Sequence, residues 1–212
     1  MLLPIGIIVF ISNFGKNKFN LPVYFAEDSI ETAGGRYKVT SAYTVPEFNL
    51  IDHNNAPITQ KQLRGSIYVV DFFFTRCESI CPKMTTQLTR VQEEFSKDPN
   101  VKIVSITVDP KHDTVEVLQK YAKEYGAMAG KWWFVTGTKD SIYALAQKGY
   151  YITAMEDKEH PVDFIHSDKL VLVDKNGWIR GYYNGTDLKD VDKLITEIKV
   201  LKEIYADESV TK

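Results

Sequence analysis

The sequence predicts an α/β sandwich, a central mixed sheet with helices on both faces, closed by a C-terminal hairpin and a final helix. Three observations predict it. Residues 67–74 (IYVVDFFF) form a continuous apolar, β-branched and aromatic run, the pattern of a strand buried on both faces. Strand-like and amphipathic helical segments then alternate, as a sheet with covering crossovers requires. Late in the chain, two strand-like runs flank Lys175-Asn176-Gly177, and an Asn-Gly pair in that position signals a hairpin.

At the start of the chain, residues 2–11 (LLPIGIIVFI) are almost wholly apolar, about the length of a signal-peptide core and short of the roughly 20 residues that span a bilayer. A poor signal sequence and a buried apolar strand both fit this stretch. A membrane anchor over residues 1–15, whose start lies a few codons upstream, is the preferred expectation, and either membrane-related reading exports the rest of the chain. Residues 16–42 are polar with little periodicity and read as a tether. The domain is expected over 43–208, opening with an alternating stretch around Phe48, Leu50 and Ile58.

After the central run, Met84, Leu88, Val91 and Phe95 share one helical stripe within 82–97. Residues 101–108 read as the next strand, and the helix after it has Asp113 as expected N-cap and Gly126 as its stop. WWFVTG is a short strand and TKDSIYALAQKGY another helix. The last helix turns Leu194, Ile198 and Leu201 to the core. No internal repeat or low-complexity tract interrupts this pattern.

Composition narrows the function. The chain has 212 residues, 44% hydrophobic and 25% charged, enough apolar residues for a full core. A formal net charge of −2 and the lack of a basic run argue against nucleic-acid binding through a broad basic face. Two cysteines do not make a disulfide scaffold.

Those two, Cys77 and Cys81, lie in the turn between the buried run and a helix that Pro82 opens. The partial positive charge and unpaired N–H groups of a helix start favour thiolate, the form that attacks disulfides and ligates metals. Three readings stand open: a stabilising disulfide, a redox couple and a shared metal ion. A bridge closing so short a loop removes little chain entropy. A redox couple would differ from C-x-x-C pairs through its larger ring. A zinc site would need two further ligands from elsewhere. Among the four histidines, His53, His112 and His160 read as solvated loop residues. His166 stands directly before a predicted central strand, where a side chain can be aimed from a rigid element. Two thiolates and an imidazole at one sheet end suit a soft or borderline ion such as copper. The polar stretch 150–163 before His166 would supply mobility.

At this point the chain resembles the Sco (SenC/PrrC-like) family over about residues 43–205. The resemblance is carried by DFFFTRCESICPKM, with Cys77, Cys81 and Pro82; by SITVDPKHDT, through Val108, Asp109, Pro110, Asp113 and Thr114; by WWFVTG; and by DFIHSDKLVLVDKNGWI. It implies a thioredoxin-like domain and copper, Cu(I) or Cu(II), held by Cys77, Cys81 and His166, with Asp109 as a supporting residue. It further implies a copper metallochaperone for the Cu(A) centre of cytochrome c oxidase, facing the periplasm from an inner-membrane anchor. The implied partners are the Cu(A)-bearing subunit and a copper donor or thiol reductant protein. The alternative is a thiol–disulfide oxidoreductase in which Cys77 and Cys81 are the redox-active pair and keep a partner's cysteines reduced. A peroxidase-like enzyme with Cys77 as the reactive thiol is a third, weaker reading. Lys111-His112 departs from the family pattern of an acidic residue followed by arginine.

Overall fold

Every residue of Ile67–Phe73 is buried, as a continuous apolar run demands, and this strand takes a central place in the sheet. The structure is a computed structural model and describes residues 21–32, 36–152 and 167–210. Its elements are β1 (Ala26–Thr32), β2 (Arg36–Ala42), β3 (Asn49–Asp52), β4 (Pro57–Thr59), α1 (Gln60–Leu63), β5 (Ile67–Phe73), α2 (Cys81–Glu94), β6 (Val101–Thr107) and α3 (Val115–Glu124). Then come β7 (Trp132–Thr136), α4 (Lys139–Ala144) running into a π-helical turn (Leu145–Gly149), β8 (Lys169–Val173), β9 (Ile179–Asn184) and α5 (Leu188–Val210).

Seven strands pair in the order β4-β3-β7-β6-β5-β8-β9. β5, β6 and β7 run parallel, while β3, β8 and β9 join antiparallel. Alternation along β5 divides the core in two. Ile67, Val69 and Phe73 face Met84, Leu88 and Val91 of α2, Leu118 of α3 and Leu194, Ile198 and Leu201 of α5. Tyr68, Val70 and Phe72 face Leu63 of α1 and Ile142, Leu145 and Ala146 of α4 and its π turn. Helices therefore cover both faces, as the alternating pattern implied. The stripe read for α2 is buried in full, with Phe95 just beyond the last helical residue.

The expected stops are present. Gly126 after α3 and Gly177 in the β8–β9 turn have φ of +64° and +81°, values that a side chain would strain. The hairpin turn is tied by Asp174, whose Oδ1 accepts from Asn176 N at 2.9 Å and Trp178 N at 3.0 Å.

Several local readings change. Within 16–42, read as a tether, β1 and β2 pair as an antiparallel ribbon. Just before them, Arg180 donates to the carbonyls of Leu21 (2.9 Å) and Pro22 (2.8 Å), and Tyr24 N to Ile179 O, so backbone bonding substitutes for the missing apolar periodicity. The N-cap of α3 is Thr114, whose Oγ1 accepts from Val117 N, and not Asp113. His53 is buried, its Nδ1 accepting from Phe134 N at 3.2 Å beside the Phe134 ring, because β3 lays the loop against β7. Tyr150 and Ile152, placed in a mobile stretch by composition, are core residues on either side of exposed Tyr151, and residues 153–163 of that stretch lie outside the described residues. The anchor segment also lies outside them. Among the described residues, no helix is long and apolar enough to cross a membrane.

Candidate metal centre

Cys77 and Cys81 are both free thiols, both buried, where β5 hands over to α2. Cys77 N donates to Phe74 O at 3.2 Å, which turns the chain out of the strand. Cys81 is the first residue of α2, with Pro82 behind it in the first turn, where its missing N–H leaves nothing unsatisfied. The turn coils enough that Cys81 N donates to Cys77 Sγ at 3.4 Å, while Ser79 Oγ stands 3.6 Å from the same sulfur. The helix-start N–H group that the sequence promised to a thiolate therefore points at Cys77.

The two thiols are made unequal by this arrangement. The Cys81 thiol shares a hydrogen bond with Cys77, and together with the N–H groups of Cys81 and Ser79 it pulls the Cys77 thiol down to about 4, against the opposing effect of burial. The Cys81 thiol is pushed well up, first by donating that same bond and then by desolvation. A thiolate and a thiol thus share one proton across the turn. Around them the wall is aromatic: Tyr121 packs against Phe73 and Phe134, and its hydroxyl meets Thr85 Oγ1, which in turn donates to Cys81 O at 2.8 Å.

Asp109 lies in the loop after β6, its carboxylate buried and paired with Arg76, the residue before Cys77. The structure therefore brings Asp109 to the cysteine turn through Arg76. His166 and His160 lie outside the described residues. The chain re-enters at Ser167, which is buried, two residues before β8. Antiparallel pairing of Tyr68 with Val173 and of Val70 with Val171 puts the start of β8 beside the end of β5 that leads to Cys77.

Asp109, His112 and Asp113 also bring ligand atoms within 4.8 Å of one another. Both Asp113 oxygens are taken up by Thr75, Thr107 and His112, and Asp109 Oδ2 by Arg76, so most of the ligand capacity of this group is already spent inside the fold. Sequence reasoning read Asp113 as a helix cap and missed this bonding. The only signal was its place in SITVDPKHDT.

A mixed sheet with helices on both faces, and a dithiol in the turn from a central strand to a helix start, define a thioredoxin-like protein. The family model described as SCO1/SenC matches residues 37–203, and the chain belongs to that family. It is 30% identical over 168 residues to the SCO1 protein homolog of Bacillus subtilis, covering 78% of this chain and 86% of that one. Among solved structures it is similar to BsSco, described as having a disulfide switch and as a member of the Sco family of cytochrome c oxidase assembly proteins. The TM-score is 0.64 at 30% identity, over 74% of this chain and 92% of that one. It is also similar to Arabidopsis thaliana ScoI, solved with copper bound, with a TM-score of 0.62 at 27% identity over 76% and 99% of the two chains.

Proposed function

We propose that this protein is a copper carrier that serves the assembly of cytochrome c oxidase, taking copper as cargo on Cys77, Cys81 and His166. The observation that carries the reading is the dithiol itself: two free cysteines at one helix start, one of them favoured as thiolate. Soft sulfur donors of this kind fit copper, and two of them need only one more ligand to complete a Cu(I) site. The third is His166, one residue before buried Ser167 at the strand end beside the cysteine turn. Copper-bound ScoI and the assembly role stated for BsSco lend support. The partner is the Cu(A)-bearing subunit, which receives the ion by ligand exchange, and the apolar segment at 1–15 anchors the domain on the periplasmic side of the inner membrane.

The unequal thiols also favour a second reading. A Cys77 thiolate beside a Cys81 thiol is the resting form of a disulfide-exchange pair, with Cys77 as the attacking sulfur. His166 separates the two readings, because a carrier needs it and a reductase does not. The test titrates the reduced chain with Cu(I) and Cu(II), alongside Cys77→Ser, Cys81→Ser and His166→Ala. One-to-one binding with a sulfur-to-copper charge-transfer band is expected, lost in either serine variant and strongly weakened in His166→Ala. Copper binding equal to the parent in all three variants would sink the site assignment. Rapid disulfide exchange without copper binding would make the protein a reductase.

A further inference from the structure

The Asp113 carboxylate is wholly buried, and everything bonded to it belongs to the two segments that frame the cysteine turn. Oδ2 accepts from Thr75 N at 3.1 Å and from Thr107 Oγ1. Oδ1 accepts from Thr75 Oγ1 and from Nδ1 of His112 at 2.9 Å. That fills a carboxylate's usual capacity, so the group acts as a fastener and not as a vacant ligand.

What it fastens is specific. Phe73 pairs with Thr107 at the end of the parallel β5–β6 ladder, and Val108 N donates to Phe73 O at 2.8 Å. Beyond that bond β5 turns away toward Cys77, and Thr75, two residues before the cysteine, is held through both its backbone and its side chain by Asp113. Thr107 Oγ1 also accepts from Asp109 N at 3.0 Å, and Asp109 is paired with Arg76. A closed ring therefore runs from Thr75 through Asp113, Thr107 and Asp109 to Arg76, and Cys77 leaves directly from it. Cys81 has a separate support, as the first residue of α2 with its carbonyl bonded by Thr85. The two thiols thus stand on different foundations.

We propose that Asp113 is a positioning residue that sets where the Cys77 thiol stands relative to Cys81, by locking the start of the cysteine turn to the end of β6. Ionised hydrogen bonds in a buried setting are the stronger and more directional kind, which suits them to hold a sulfur in place. The inference rests on Cys77 and Cys81 being the working pair of the proposed function, whichever of its two chemistries they perform.

The test uses the full chain with Asp113→Asn, Thr75→Val and Thr75→Ser. Valine removes one hydroxyl but keeps the branched shape and the backbone N–H, whereas serine keeps the hydroxyl. Three quantities are read: Cu(I) affinity by competition with a chromophoric chelator, the dithiol–disulfide equilibrium against glutathione, and the thermal melt. Asp113→Asn is expected to weaken Cu(I) binding and displace the glutathione equilibrium at least tenfold each. Thr75→Val should shift both several-fold without a matching fall in melting temperature, and Thr75→Ser should restore the parent values. If Asp113→Asn does not fold, the valine–serine pair decides. Folded Asp113→Asn or Thr75→Val protein that matches the parent in both readouts overturns the proposal. A parent chain that binds no copper defeats the carrier reading, while the glutathione equilibrium still decides this one.

Discussion

Two buried aspartates at different places in the fold make the most instructive pair in this molecule. Asp113 and Asp174 are both essentially inaccessible, and each accepts from both backbone N–H and side-chain donors: one N–H and three side-chain groups at Asp113, two of each at Asp174. Asp174 closes the β8–β9 turn, accepts from Arg180 Nη1 at 2.8 Å and Tyr205 Oη at 2.7 Å, and so ties the hairpin to α5. Arg180 then reaches the carbonyls of Leu21 and Pro22. The Asp174 network ties a hairpin turn to α5 and to the segment that enters β1, whereas the Asp113 network ties the turn between β5 and α2 to the end of β6. The same chemistry therefore stabilises the fold in one place and positions a thiol in the other. Asp71 is a third case. On the cysteine-facing side of β5 it accepts from Ser105 Oγ, and its Oδ2 has no partner among the described residues.

The largest effect is expected from Asp174→Ala. It leaves the Arg180 guanidinium buried without its carboxylate and should cost about 3–5 kcal/mol. Urea unfolding checks the loss, and a parallel Cu(I) titration should show unchanged affinity in the folded protein. If copper affinity fell as steeply as in Asp113→Asn, the division between fold and site would collapse.

Asp71 sharpens the comparison through pH. Burial pushes its carboxyl up to about 7 from the ordinary 3.8, with the Ser105 bond offsetting only part of the shift. A raised folded value means that the protonated form favours folding: the contribution is full below 3.8 and is lost as pH rises through about 7. Asparagine at this position, neutral at every pH, should be more stable than the parent above pH 7 by on the order of 4 kcal/mol. The gap should narrow on acidification and close near the ordinary carboxylate range, as read from urea melts across pH. A gap that did not vary with pH would mean that Asp71 stays ionised in the fold.

The smallest effect tests the neighbour of Asp113. Thr114 caps α3, and Thr114→Ala should cost about 1 kcal/mol in thermal unfolding. The dithiol–glutathione equilibrium should not move, because the cap serves the helix while Asp113 serves the turn. A shift in that equilibrium would show that α3 as a whole, and not the carboxylate, positions Cys77.

The parts legible in the sequence were those with local causes. The central strand showed because a run such as IYVVDFFF is apolar on both faces but for Asp71, and α2 and α5 because Met84, Leu88 and Val91, and Leu194, Ile198 and Leu201, recur at helical spacing. The Asn176-Gly177 turn showed because few residue pairs accept its backbone. Cys77 and Cys81 were legible as a pair because Pro82 marked the helix start behind them. His53 misread as a solvated loop residue because its burial comes from β3 lying against β7, a contact between residues 81 positions apart in the chain. The ribbon at Ala26–Thr32 and Arg36–Ala42 escaped notice because its pairing is backbone bonding, which leaves little trace in hydropathy.

By itself, then, the sequence determined the α/β class, the order of most elements and the place of the cysteine pair at a helix start, since each depends on periodicity, turn chemistry or adjacency along the chain. Only the folded structure showed that the coiling of the turn favours Cys77 over Cys81 as the thiolate, that Arg76 meets Asp109, and that Asp113 binds Thr75 and Thr107 instead of capping a helix. The last two depend on the parallel register of β5 and β6, which brings Thr75 and Asp113, 38 residues apart, within hydrogen-bond reach. Long-range register is set by the packing of the whole core on both sheet faces, and no local pattern encodes it.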